Sequence, residues 1–277
     1  MQCKAFSSCY WTIFGALLCT SLAVNAQPVP TDRLTNIMQS HTLRVCIWPD
    51  YFSISARHPK TGQLEGIDIE LAHEFARDLG VNLQFVDTHF GRFMDDLEAD
   101  RCDISMFAIA ITEARARRID YSQPYMASRM YAVTTRTHPA IQQWSDIDQP
   151  GAVVCVQQGT YMESQMRSHL RHADLLVVKN PREREKAVMS GMADVFITDY
   201  PYSRKVLRFY DWAQLIEPPA TMTERPFRYA YAIAKGQPAW LERINTFISE
   251  IKADGRLRRA ASNNDLGPVV LDALTPH

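Results

Sequence analysis

Three short segments place polar side chains directly after apolar runs, where a chain leaving a buried strand meets the start of a helix. In Ile111-Thr112-Glu113-Ala114-Arg115, Thr112 can cap a helical turn, and Arg115 lies within that turn. A cap leaves backbone N–H groups at the positive end of the turn, and an arginine adds a planar fork that matches a carboxylate bidentately. In Gln158-Gly159-Thr160-Tyr161-Met162-Glu163, Thr160 and Glu163 have capping-box spacing, and Gly159 permits close backbone approach. Both segments suit an anion; each alone also fits a plain structural cap. Thr198-Asp199 sets a carboxylate at the end of a third apolar run, where it can receive an ammonium group or cap the turn before Pro201. Trp48, Tyr51 and Phe52 follow the first apolar run and Phe90 follows the second. Aromatics in such loops either wall a ligand or complete a core.

These segments need strands that end together. Residues 43–48 form a short apolar run, read as a buried strand. Residues 68–79 carry apolar side chains at helical spacing and stop at Gly80. Strand 81–86, a short helix around Phe93, Met94 and Leu97, and strand 103–111 follow. A second unit begins near Ile141, with strands at 152–157 and 194–198 and helices at 160–170 and 183–190. Residues 227–234 read as a strand again, and the stripe from Trp240 to Ile251 reads as a helix ended by Gly255. Alternation of this kind predicts an α/β fold with parallel sheets flanked by helices, and ligands in such sheets sit beyond the carboxyl ends of the strands.

Composition narrows the function further. The formal charge is −1 and no basic block stands out, so a nucleic-acid partner is not expected. Residues 1–26 have the layout of a secretory signal peptide: one lysine, an apolar stretch from Trp11 to Val24, and Val24-Asn25-Ala26 as a cleavage signal. The stretch is shorter than the roughly 20 residues of a membrane span. Cys19 lacks the small preceding residue that a lipid anchor needs. Beyond this segment stand Cys46, Cys102 and Cys155, an odd number at wide spacing. They are not read as a disulfide framework or a metal site; Cys46 and Cys155 fit small buried strand residues best, and whether all three are free stays open. The histidines are scattered, and no Ser-His-Asp or Cys-His arrangement is visible at a shared strand end, so neither a catalytic group nor a cofactor is expected.

An ordered set of strings carries a resemblance. Leu43-Arg44-Val45, the run from Gly66 to Ala72, Ile111-Thr112 with Arg115, and Asp120-Tyr121-Ser122 with Pro124-Tyr125 are followed by Gln158-Gly159-Thr160, Ala193-Asp194 with Thr198-Asp199, and Lys252-Ala253-Asp254-Gly255. The chain resembles the polar amino-acid class of periplasmic binding proteins, bacterial solute-binding family 3. The resemblance implies a two-lobed type 2 periplasmic binding fold whose lobes, each a mainly parallel sheet flanked by helices, are joined by two crossover strands. Lobe 1 would comprise 40–135 and 225–277, and lobe 2 would comprise 140–222. Arg115 would hold a ligand carboxylate with help from the backbone after Gly159, at Thr160 and Tyr161, and from the backbone of Ala110. Asp199 would take an ammonium group, and Tyr51 or Phe52 with Phe90 would sandwich the side chain. The implied protein is a periplasmic monomer that delivers an amino acid or another small carboxylate to an inner-membrane ABC permease, or a sensor or accessory binding protein. Two departures bear on the ligand: Ala108 and Ala110 lack hydroxyls common in the family, and Tyr161 stands where Thr or Ser is common.

One enzyme branch, cyclohexadienyl dehydratase, shares the implied fold and resembles Ile147-Asp148-Gln149-Pro150-Gly151 and Thr198-Asp199. That resemblance implies a carboxyl general acid at position 202, where this chain has Tyr202. A phenol is a poor proton donor near neutral pH, and Glu163 and Glu224 are the other carboxyl candidates. The expectation is therefore a binding protein and not an enzyme.

Overall fold

The computed structural model describes residues 32–219 and 226–271, and Gln2 alone of the first 31. The signal-peptide expectation, Glu224 and the final residues of the chain lie outside the described residues. In chain order the strands are β1 (Thr42–Ile47), β2 (Ala56–Arg57), β3 (Leu64–Glu65), β4 (Asn82–Asp87) and β5 (Ile104–Ala110). Next come β6 (Ile119–Tyr121), β7 (Met126–Ser128), β8 (Tyr131–Thr135) and β9 (Val153–Gln157). The last are β10 (Asp174–Val178), β11 (Val195–Thr198), β12 (Ala213–Ile216) and β13 (Phe227–Ala234). One sheet has the order β4-β1-β5-β13-β6, with β7 also on β13; the other has the order β10-β9-β11-β8-β12; β2 and β3 form a separate hairpin.

Each large sheet has a parallel trio, β4-β1-β5 or β10-β9-β11, completed by antiparallel strands. The antiparallel strands are those on which the chain changes sheets. It passes from β7 in the first sheet to β8 in the second, and returns from β12 to β13. Tyr131 at the start of β8 pairs with Thr198, and Tyr229 near the start of β13 pairs with Ala110. Both crossing strands therefore begin at the carboxyl ends of β11 and β5, which forces them to run backwards against the parallel trio.

Helices follow from apolar stripes and their caps. Helix Ile67–Leu79 buries Leu71, Phe75 and Leu79 and stops where Gly80 turns into the left-handed region, at φ 67°. Helix Pro238–Ala253 buries Ile244, Ile248 and Ile251 against the same sheet. Phe75 stacks between Trp240 and Phe247 at centroid distances of 5.3 and 4.4 Å, joining the two helices. Burial of each such ring contributes about 1.5–3 kcal/mol. None of the described helices is long and apolar enough to cross a membrane.

The cysteine expectation is corrected. Cys46 and Cys102 form a disulfide with Cα atoms 5.6 Å apart, and Cys155 is free and buried. Spacing along the chain hid the pair. Cys46 lies on β1 opposite Ser105 of β5, so the parallel pairing brings Cys102, just before β5, alongside it.

Candidate functional site

The carboxyl ends of the two parallel trios face each other, and the loops leaving them enclose a cavity of about 30 Å³. Trp48, Tyr51, Phe90, Ala108 and Ala110 line it from the first sheet; Gln157, Thr160, Tyr161, Arg184, Thr198, Asp199 and Tyr202 line it from the second; Phe227 and Tyr229 come from β13. The two sides touch across it, Tyr51 with Asp199 and Arg115 with the Gly159 carbonyl, so the lobes are closed.

Asp199 is the buried carboxylate of this cavity. It caps helix Tyr200–Phe209, accepting the Tyr202 N–H at 3.2 Å through Oδ1. Its Oδ2 accepts the hydroxyls of Tyr51 and, at 2.6 Å, Tyr229. Burial and the Asp199 charge push both phenols well above their usual pKa, so they stay protonated donors. The cap reading and the site reading of Asp199 both hold, because one carboxylate has two oxygens. Tyr51 reaches it from the first sheet, so this contact crosses the cleft.

Tyr229, on β13 of the first sheet, crosses beside Tyr51, and Arg115 makes a further crossing. Thr112 caps its turn, accepting the Arg115 N–H at 3.2 Å. The guanidinium donates through Nη1 to the carbonyl of Ala110 at 2.7 Å and through Nη2 to the carbonyl of Gly159 at 2.8 Å. It also lies 5.8 and 5.5 Å from the ring centroids of Phe90 and Phe93. Burial pushes the guanidinium pKa down, against the opposing effect of Tyr121. Arg115 does not line the central cavity. It lines an adjoining cleft of about 460 Å³ with Thr112, Thr160, Tyr161 and Glu163.

The helix start after β9 follows the capping-box spacing. The Thr160 hydroxyl accepts the Glu163 N–H at 3.4 Å, and Glu163 accepts the Gly159 N–H at 2.6 Å. Glu163 thus takes the Gly159 amide, while Tyr161 and Met162, in the first turn of helix Tyr161–His169, have N–H groups with no intrahelical acceptor. Gly159 has φ +77°, and a Cβ there would stand 2.7 Å from the backbone N of Gly91 and 2.8 Å from the carbonyl carbon of Phe90. Only a glycine lets the two lobes meet this closely.

Trp48, Tyr51 and Phe90 form one aromatic wall, with centroids 5.1 to 5.8 Å apart. Phe52 is not part of it. Its ring meets Phe209 edge-on at 5.8 Å, outside the cavity, because successive residues of the turn point apart. Tyr161 stacks on Phe227 at 4.4 Å as the opposite wall. Below Ala108, the buried carboxylate of Asp68 accepts the Ala108 N–H at 2.9 Å and the hydroxyls of Tyr125 and Tyr231 at 2.6 and 3.2 Å. This holds Ala108 at φ 49° in the cavity wall. Burial pushes the Asp68 carboxyl up to about 7.

Sequence reasoning did not single out Gln157, Arg184, Phe227 or Tyr229 as site residues. For Phe227 and Tyr229 a signal existed: two-residue spacing sets both on one face of β13. For Arg184 none did, since an arginine in a polar helix reads as solvated. Tyr202 is buried and donates its hydroxyl to Glu185 at 2.7 Å. Burial pushes its phenol far above the usual value, which removes it as a proton donor to a substrate.

Comparison with known proteins bears on this geometry. The family model for bacterial extracellular solute-binding proteins, family 3, matches residues 43–263. The chain is 31% identical over 249 residues to a cyclohexadienyl dehydratase of Pseudomonas aeruginosa strain PAO1, covering 88% of this chain and 90% of that one. It is 24% identical to the ABC transporter glutamine-binding protein of Bacillus subtilis strain 168, covering 91% and 94%. The crystal structure of an ancestral amino acid-binding protein, described as a precursor of cyclohexadienyl dehydratase, superposes with a TM-score of 0.76 at 29% identity, covering 83% of this chain and 98% of that one.

Proposed function

The chain belongs to family 3 of the bacterial extracellular solute-binding proteins, and from that premise we propose that it binds an amino acid, or a close carboxylate-bearing relative, by lobe closure. Lobe 1 would comprise 40–135 and 225–277, and lobe 2 residues 140–222. The observation that carries the reading is Asp199, a buried carboxylate at a strand end inside an aromatic cavity, met from the opposite lobe by Tyr51. With the lobes parted, Asp199 loses that phenol and the one of Tyr229, which belongs to the same lobe as Tyr51, and can accept a ligand ammonium. Arg115 loses the Gly159 carbonyl at the same time, which frees Nη2 for a ligand carboxylate. The amides of Tyr161 and Met162 extend the same anion site, and Ala110 contributes backbone only. Tyr51, Phe90 and Tyr161 wall the ligand body. Ligand binding to both lobes then favours the closed state by its differential affinity. Cleavage after Ala26 would release the protein to the periplasm as a monomer, where the closed form would dock on an inner-membrane ABC permease.

The similarity to a dehydratase supports a second reading, an enzyme on the same fold. Tyr202 weighs against it, since the position read as the general acid holds a phenol bound to Glu185. We therefore take the protein as a binding protein without catalytic turnover. A thermal-shift screen of amino acids and organic acids on protein beginning at Gln27 tests the proposal. A true ligand at 100 times its dissociation constant stabilises by about 2.7 kcal/mol. Asp199→Asn should abolish the shift for amino acids. If neither class shifts the wild-type transition, the proposal is wrong.

A further inference from the structure

A second cation lies in the cavity wall. Arg184, on helix Pro181–Met189, is only 4% exposed and lines the same cavity as Asp199. Its hydrogen bonds are long: 3.4 Å to the carbonyls of Pro181 and Ile197 and 3.5 Å to the Thr198 hydroxyl. Its guanidinium sits 4.1 Å from the ring centroid of Tyr202 and 5.4 Å from that of Phe196. Among the described residues no carboxylate forms an ion pair with it. The neighbouring Glu185 points elsewhere, to Tyr202 and Lys205. Asp199 is already engaged by two phenols and a backbone amide. A buried guanidinium has five donors and a charge that costs free energy unless an anion meets it. The three bonds use Nε and Nη1 and reach neutral oxygens only, so together with the two ring faces they bring no full negative charge to the guanidinium.

We propose that Arg184 receives a second carboxylate of the ligand, so that the solute is an amino dicarboxylate. This rests on the amino-acid reading above and sharpens it. Asp199 follows β11 and Arg184 lies on the helix preceding it, so both belong to the second-sheet side of the cleft. Their spacing is therefore fixed whether the cleft is open or closed. The charges agree as well: Arg115 and Arg184 against Asp199 leave one positive charge, and an amino dicarboxylate carries one net negative charge. A cationic side chain would meet Arg184 unfavourably.

The test is calorimetry on the mature protein with L-aspartate, L-glutamate and L-2-aminoadipate against L-asparagine, L-glutamine and L-arginine. The best dicarboxylate should bind at least about tenfold more tightly than any amide or than L-arginine. Arg184→Met should weaken that dicarboxylate by about 100-fold, because it removes one partner of a buried charge pair, and change amide affinity by less than about threefold. Arg184→Lys keeps the charge without the fork, so it should keep part of the preference and serves as the second variant if Arg184→Met does not fold. If an amide or L-arginine binds as tightly as the dicarboxylates, the inference falls while the amino-acid reading stands. It also falls if the Arg184 variants weaken all ligands equally. If no amino acid of either set binds, the inference falls, and the binding-protein reading is then decided by the thermal-shift screen of organic acids.

Discussion

Gly159 gives the sharpest test of closure, because alanine there separates two effects. The first is conformational. At φ +77° an L-residue in the left-handed region costs about 1–2 kcal/mol. That cost is paid with the lobes open or closed, so it lowers the melting temperature and cancels from ligand affinity. The second effect exists only in the closed state. The new Cβ would stand 2.7, 2.8 and 2.9 Å from backbone atoms of Phe90 and Gly91, whereas ordinary contact begins at 3.4 Å. Backbone cannot rotate aside, so the lobes must stay about half an ångström or more further apart at this point. Overpacking of this kind costs about 1–3 kcal/mol, which at 1.4 kcal/mol per decade weakens binding by roughly 5- to 150-fold. Gly191 is the control: its φ is +72° and a Cβ there would meet nothing within 4 Å. Gly191→Ala should lower stability about as much as Gly159→Ala and leave affinity unchanged. Calorimetry with the best ligand reads the affinities, and small-angle scattering reads the ligand-induced compaction. If Gly159→Ala binds within about twofold of Gly191→Ala, closure does not bring these backbones together and the reasoning fails.

Other outcomes follow from the same structure. Burial holds the Asp68 carboxyl at about 7, above its unfolded value, so its stabilising contribution is complete below about pH 4 and is lost as pH rises through 7. Wild-type unfolding free energy should therefore fall relative to Asp68→Asn by on the order of 4 kcal/mol between pH 4 and pH 8, and parallel urea-denaturation profiles would contradict this. The Cys46–Cys102 disulfide closes a separation of 56 residues, so Cys46→Ser should cost about 4 kcal/mol, and intact-mass analysis of alkylated protein should find one blocked thiol, Cys155. Incubation with prephenate should give no phenylpyruvate above the protein-free rate; robust turnover lost in Tyr202→Phe would overturn the assignment of a binding protein.

The fold was largely legible because its signals are local. Apolar runs, helical stripes and the stops at Gly80 and Gly191 fix where strands and helices form, and strands with polar caps at their ends announce where a ligand would sit. The cap of Thr112 and the strand-end position of Asp199 stand as those patterns require, whereas at Thr160 only half of the capping box forms: Thr160 accepts the Glu163 N–H, and Glu163 reaches back one residue further, to the Gly159 N–H. Short strands such as β6, β7 and β12 left no such trace, since three or four residues carry little periodicity and owe their pairing to β13 and β8.

What the sequence determined by itself was therefore the set of elements and the chemistry at their ends. The tertiary structure alone decided the partners. It paired Cys46 with Cys102 by laying β1 beside β5, and it turned Phe52 outward to Phe209 while Tyr51 reached Asp199. It gave both arms of the Arg115 fork to backbone carbonyls, one of them across the cleft. It also buried Arg184 in the cavity wall without an ion-pair partner among the described residues. Each of these depends on which surfaces meet when the chain crosses twice between sheets, and no local pattern encodes a contact between residues brought together only by that crossing.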